Sequence, residues 1–127
     1  MNSSAAKAAC VLVVDDDALI NMNAVDMLEQ LGHTAIDAYS GAEALKILAS
    51  AQVIDLLITD YAMPGMNGVE LAQQARQLRP GLPVVLATGY SELPSGATIE
   101  LPRLNKPYQQ ADLERQVQML LGEQASL

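Results

Sequence analysis

The sequence predicts an α/β domain: a doubly wound, five-stranded parallel sheet with helices on both faces. Three observations predict it. Short apolar runs rich in Val, Ile and Leu recur along the chain, as strands buried on both faces require. Stretches with apolar residues at helical spacing separate these runs, and such alternation implies parallel pairing. Finally, the runs are cut short by polar residues, with Gly or Pro often close behind.

Met1 to Ala9 is small and Ala-rich, and is expected to be a disordered lead-in. Cys10-Val11-Leu12-Val13-Val14 reads as a buried first strand, stopped by Asp15-Asp16-Asp17. Asp17 is placed to cap a helix that Gly32 ends, with Ile20, Ala24, Met27, Leu28 and Leu31 on one face. His33, in the turn that follows, is expected to face solvent. Thr34 to Tyr39 alternates enough for a second strand. Ser40 caps a second helix through about Ala51, with Ala44, Leu45 and Leu48 inward.

Leu56-Leu57-Ile58-Thr59-Asp60 forms the third strand, and the Pro/Gly-rich loop Tyr61 to Asn67 follows at once. A third helix runs from about Gly68 to Leu78, with Leu71, Ala75 and Leu78 at helical spacing, and is closed by Pro80-Gly81. Leu82 to Thr88 is the fourth strand. Between Gly89 and Glu100, Pro94, Ser95 and Gly96 break any long helix, so a shortened or irregular fourth helix is expected there. Leu101 to Asn105 makes a short fifth strand, Lys106-Pro107 follows, and Leu113, Val117, Leu120 and Leu121 mark a last amphipathic helix. The domain is therefore read as residues 10–122, with a tail at 123–127.

Five such units fit the flavodoxin-like strand order 2-1-3-4-5, which makes the first and third strands neighbours. In open α/β sheets ligands bind at the carboxyl ends of the strands. Asp15, Asp16, Asp60, Thr88 and Lys106 all fall on that rim.

Composition narrows the function. At 127 residues the chain suits one domain with its own core, and it leaves no room for a separate output domain. The net charge of -8 argues against direct nucleic-acid binding, which needs Lys and Arg along the phosphate backbone. No apolar run approaches the ~18 residues of a membrane span, and no basic-then-apolar signal segment opens the chain. A cytoplasmic domain without membrane insertion is expected. The single cysteine, Cys10, cannot form an internal disulfide and suits a reducing compartment.

Crowded carboxylates repel one another. At an effective dielectric near 20, a pair of unit charges at 4 Å costs about 4 kcal/mol. Asp15, Asp16 and Asp60 therefore call for a cation, and oxygen ligands alone favour a hard ion such as Mg²⁺, with Mn²⁺ as a substitute. Zinc would want His or Cys, and His33 and Cys10 lie away from this rim. A carboxylate held beside such an ion can attack a phosphoryl group, so Asp60 is read as a phosphoacceptor. Lys106 and the Thr88 hydroxyl would then stabilise phosphoryl oxygens, and Gly89 would keep the approach clear. Asp17 is read as a helix cap rather than a ligand.

The motifs Val-Val-Asp-Asp at 13–16, Asp-Tyr-Ala-Met-Pro-Gly-Met-Asn-Gly at 60–68, Ala-Thr-Gly at 87–89 and Lys-Pro at 106–107 resemble the receiver domain of bacterial two-component response regulators. The likeness runs from about Val11 to Leu121. It implies that Asp60 takes a phosphoryl group from the phosphohistidine of a histidine kinase or a histidine phosphotransfer protein. It also implies that Asp15, Asp16, Asp60 and the backbone carbonyl of Ala62 hold Mg²⁺, and that the Lys106–Pro107 bond is cis. Such a domain assists its own phosphorylation and dephosphorylation but is not an enzyme. It controls a fused or separate output domain or partner through the face between residues 88 and 106. Ala62 and Tyr90 lie, in related receivers, over the path of the attacking water. Ile20 is a candidate contact for the kinase helices.

Most receivers carry a Tyr or Phe switch in strand five, where this sequence has Arg103. It is similar to a subgroup whose fourth strand ends Ala-Thr-Gly followed by Tyr and which lacks that aromatic. Receivers of this subgroup occur alone or fused to sensor kinases, as in a hybrid histidine kinase. An expectation follows that the loop from Tyr90 to Glu100 carries the signal by ordering. Two other readings compete: a phosphorylation-independent docking module on the same fold, and an aspartyl-phosphate phosphatase of the haloacid-dehalogenase type.

Overall fold

The computed structural model describes residues 8–89 and 101–122. The elements are β1 (Cys10–Val14), α1 (Ala18–Gln30), β2 (Thr34–Ala38), α2 (Gly41–Ala49), β3 (Leu56–Asp60), α3 (Gly68–Leu78), β4 (Val84–Thr88), β5 (Arg103–Asn105) and α4 (Gln110–Val117), the last running into a π-helical turn at Gln118–Gly122. All strand pairs are parallel, and the order is β2-β1-β3-β4-β5, as the flavodoxin-like expectation required. The shortened or irregular fourth helix and the loop from Tyr90 to Glu100 lie outside the described residues, as do residues 1–7 and 123–127.

The two-residue period of each strand sorts the core into two layers. Leu12, Val14, Leu57 and Val84 face α2 and α3, where Ala44, Leu48, Leu71, Ala72 and Ala75 meet them. Val11, Val13, Leu56, Ile58, Val85, Ala87 and Leu104 face α1 and α4, where Ala24, Leu28, Leu113 and Val117 close the layer. Each buried Val, Leu or Ile contributes roughly 1.5–3 kcal/mol, which is how a core without Phe or Trp still holds a domain of this size.

Caps fix where the helices start. The Asp17 carboxylate accepts the amides of Leu19 and Ile20 at 3.0 and 3.2 Å, and Ser40 Oγ accepts that of Glu43 at 3.1 Å. Asn67 and Glu70 form a reciprocal capping box, each side chain accepting the other's amide at 2.9 Å. Gly68 then lets α3 begin hard against the sheet: a Cβ there would lie 2.5 Å from the Asp60 carbonyl oxygen and 2.6 Å from Leu86 Cδ1.

Several expected boundaries shift for identifiable reasons. Pro83 and Pro102 have no amide to give a ladder, so β4 and β5 start later than Leu82 and Leu101. Their carbonyls still accept, from Leu57 at 3.0 Å and Leu86 at 2.8 Å. Leu78 does not face inward but is 47% exposed, and Ala72 takes the inner position instead. The expected lead-in ends before Ala9, which is buried and whose carbonyl accepts the amide of Thr34 at 2.9 Å. His33 is not solvent-facing: half-buried, its Nδ1 accepts the Ala9 amide at 3.0 Å. Sequence spacing could not show this, because the contact joins residues 24 apart.

Candidate functional site

Four strand ends converge on one point of the carboxyl rim. The polar residue that stops β1, Asp15, is 2% exposed; Asp60, the last residue of β3, is 4% exposed. Parallel registers bring them together, since Val14 pairs with Thr59 one residue before each. Thr88 ends β4 beside them and is also buried, because Asp60 pairs with Ala87. Lys106 leaves β5 with its amide on the Thr88 carbonyl at 2.8 Å. Its Nζ lies 2.6 Å from Asp60 Oδ1 and 3.5 Å from Asp15 Oδ2.

One ammonium thus faces two buried carboxylates, and exposed Asp16 adds a third close by. Ligand oxygens of Asp15, Asp16 and Asp60 all lie within 4.8 Å of one another. An octahedral ion with bonds of 2.0–2.1 Å holds its ligands about 3 to 4 Å apart. The three oxygens therefore fit such an ion after only small side-chain movements, and their chemistry is that of a hard cation. His33 and Cys10 sit at the opposite end of the sheet, at the entry to β1 and β2.

Electrostatics reflect the crowding. Burial pushes the Asp15 carboxyl up; the Asp17 amide at 2.9 Å and the Lys106 charge oppose the shift, and the charge of Asp16 adds to it. Tyr108, next to Pro107, is packed into the α1/α4 layer, and its hydroxyl is pushed up to about 12 by burial and then by the charges of Asp15 and Asp60.

The other residues singled out in the sequence are more dispersed. Gly89 follows Thr88 and is half-buried; Ala62 is exposed two residues beyond Asp60. The Lys106–Pro107 peptide is cis. Arg103 is exposed at the start of β5, three residues before Lys106, and its carbonyl accepts from Gln116 Nε2 at 3.3 Å. Ile20 is half-buried, whereas its neighbours Leu19 and Met22 are 63% and 55% exposed. Tyr90 lies outside the described residues.

Sequence reading passed over two residues. Tyr108 reaches the field of both carboxylates, and its signal was an aromatic directly after Lys-Pro. Asn21 is fully buried in α1 and donates to carbonyls at the ends of β1 and β2. Its signal was a polar residue at the helical spacing of Ala24 and Leu28.

Comparison with known proteins places these observations in one family. The model for the response regulator receiver domain matches residues 11–118. The sensor kinase CckA of Brucella abortus (strain 2308) is 32% identical over 123 residues, covering 91% of this chain and 13% of CckA. The response regulator receiver protein CpdR of the same organism is 30% identical over 115 residues, covering 87% of this chain and 95% of CpdR. The crystal structure of a response regulator receiver domain protein from Clostridium thermocellum superposes with a TM-score of 0.80 at 28% identity, over 92% of this chain and 97% of that one. This chain therefore spans only a small part of CckA but nearly the whole of CpdR. The match runs through every strand and includes Asp15, Asp16, Asp60, Thr88 and Lys106 at the rim, and the chain belongs to the response regulator receiver domain family.

Proposed function

We propose that this domain is the phosphoacceptor of a two-component phosphorelay, with Asp60 taking the phosphoryl group from a phosphohistidine. The observation that carries the reading is the Asp60 carboxylate itself. It is buried at a strand end, within 2.6 Å of Lys106 and within 4.8 Å of two further acids. A fold that needed only stability would not collect like charges in this way.

Asp60 supplies the nucleophilic oxygen: its bond to phosphorus forms as the phosphorus–nitrogen bond of phosphohistidine breaks. Lys106 neutralises charge on the transferring group, and the Thr88 hydroxyl donates to one of its oxygens. Asp15, Asp16, Asp60 and the Ala62 carbonyl would hold Mg²⁺, or Mn²⁺ in its place. Bound there, the ion supplies positive charge against the phosphoryl oxygens. Gly89, Ala62 and Tyr90 would set how readily water reaches the acyl phosphate. Pro107 would shape the chain beyond Lys106.

The donor is a histidine kinase or a histidine phosphotransfer protein. Exposed Leu19 and Met22 at the start of α1, beside the acidic residues, support docking of an apolar helix there. The response passes through the face between residues 88 and 106, Arg103 included, to a fused or separate output partner. The setting is cytoplasmic, and among the described residues no helix is long and apolar enough to cross a membrane. The domain assists its own phosphorylation and hydrolysis without acting as an enzyme on other substrates.

Intact mass after incubation with Mg²⁺ and acetyl phosphate tests the reading. The parent gains one phosphoryl group and Asp60→Asn gains none. A parent that gains no mass, and that also fails to bind beryllofluoride, would return the domain to a phosphorylation-independent docking role.

A further inference from the structure

Asn21 is outside the ring of charged groups, and phosphoryl transfer does not use it directly. It lies on α1 in line with Ala24 and Leu28, where packing alone would place an apolar residue, and it is fully buried. Its Nδ2 lies 2.9 Å from the Ala38 carbonyl, 3.2 Å from that of Asp15 and 3.5 Å from that of Val13. Carbonyl oxygens only accept, so the amino end of the side chain must face them. The other end, Oδ1, is buried and has no hydrogen-bond partner among the described residues. An amide that leaves a buried acceptor unmet is a poor choice for filling a core. Its donors must be what the position requires.

Those donors act where the sheet no longer can. The β1–β2 ladder ends at Val14 and Ala38, and the β1–β3 ladder ends at Val14 and Thr59. The next peptide, between Asp15 and Asp16, lies beyond both. Besides its ion pair with Lys106, Asp15 is tied there by three hydrogen bonds: its amide to the Ala38 carbonyl at 3.1 Å, its Oδ1 from the Asp17 amide at 2.9 Å, and its carbonyl from Asn21. The Ala38 carbonyl takes both the Asp15 amide and the Asn21 amino group, so a single oxygen joins β2, β1 and α1. The Asn21 bond is the one of these three made to the peptide linking the two acids.

We propose that Asn21 is a positioning residue for the cation site, fixing the Asp15–Asp16 peptide so that both carboxylates leave β1 toward Asp60. The inference rests on the reading of this rim as a Mg²⁺-dependent phosphoacceptor site. Groups that orient metal ligands from behind typically change metal affinity by about 10- to 100-fold when removed. Asn21 holds ligand backbone rather than a ligand side chain, so the lower end of that range applies.

The test is calorimetric titration of Mg²⁺ into the parent, Asn21→Ala and Asn21→Leu, with no phosphodonor present, alongside thermal unfolding. Asn21→Leu completes the apolar stripe and protects the fold if Asn21→Ala weakens it. Both variants should bind Mg²⁺ about tenfold more weakly than the parent while still unfolding cooperatively. A folded variant with parental Mg²⁺ affinity overturns the proposal, whatever its melting temperature, because a purely structural residue would behave that way. Loss of fold in both variants also overturns it. A parent that binds no Mg²⁺ would instead bring down the reading of the rim, and this inference with it.

Discussion

The two ends of the sheet satisfy their polar groups in opposite ways. At the amino end, side chains close onto backbone. Asp55 Oδ2 accepts the Cys10 amide at 2.8 Å, and the Asp55 amide donates to the Cys10 carbonyl at 2.7 Å. His33 accepts the Ala9 amide at 3.0 Å. Arg79 donates to the carbonyls of Leu48, Ser50 and Gln52 at 3.0, 3.1 and 2.6 Å, closing the end of α2 from the end of α3. At the carboxyl end, Asp15 and Asp60 are buried as deeply as much of the core, yet they share one ammonium. The first pattern stabilises the fold. The second is tension that the rest of the fold sustains, and tension of this kind is the physical mark of a candidate functional site.

The strongest way to break this contrast is to remove the ammonium. Lys106→Met leaves Asp15 and Asp60 facing each other, and stripping one partner from buried charges costs about 3 kcal/mol or more. If the rim is built for a cation, Mg²⁺ should replace the lost charge. At a hundred times its dissociation constant, an ion that binds only the folded state restores about 2.7 kcal/mol. Urea midpoints with and without Mg²⁺ measure both effects. A loss of stability that Mg²⁺ leaves untouched would mean the acids do not form a cation site.

Next in size is Gly68→Ala, which pushes a methyl group toward the Asp60 carbonyl and Leu86. Overpacking of this kind costs about 1–3 kcal/mol. Because the contact is with the backbone of Asp60, the rate of mass gain from acetyl phosphate should fall as well. Lost stability with an unchanged rate would show that Asp60 tolerates the displacement.

Arg79→Ala sharpens the comparison from the other end. It removes three hydrogen bonds, one to an α2 carbonyl and two to carbonyls just beyond the helix, and hydrogen bonds from a charged group contribute about 1.5 kcal/mol or more. The exposure of Ser50 and Gln52, whose carbonyls water can reach, keeps the loss near that lower figure. Phosphorylation by a small donor should be unaffected, since the guanidinium is at the far end of the sheet. A slowed reaction would tie the two ends together and erase the contrast.

How much of this was legible depended on whether the signal was local. The alternation of strands with helices, the caps at Asp17 and Ser40, and the polar stops at Asp15, Asp60, Thr88 and Lys106 are written within a few residues each. From them the strand order places the acids and the lysine on one rim, and the structure brings those acids and the lysine together. Long-range partners were not legible. Arg79 meets carbonyls 27 to 31 residues away, His33 meets Ala9, and Asn21 reaches Ala38. Helical spacing alone does not say where the apolar stripe ends: Leu78 shares it yet is exposed, and Ala72 is the better-placed residue.

His33 offers the finest test of the amino end, because its role there depends on its charge. Nδ1 accepts the Ala9 amide, so the ring must be neutral at that atom. Burial lowers its pKa from the ordinary 6.5, and the charge of Glu114 offsets this only in part. The unfolded chain then takes up this proton at higher pH than the folded one. His33 therefore contributes its full stability above about 6.5 and loses it as pH falls through the lower folded value, below which the loss levels off. Asp15 works in the opposite sense: with its pKa raised, protonation on acidification relieves the folded state. The two contributions separate by difference. His33 is the one histidine in the sequence, so subtracting the denaturant midpoints of His33→Gln from those of the parent, between pH 8 and about 5, isolates the imidazole. The difference should shrink toward acid pH. A difference that stays constant would mean the Ala9 bond is worth the same whatever the charge on the ring, and that the amino end holds together by packing rather than by its matched polar pairs.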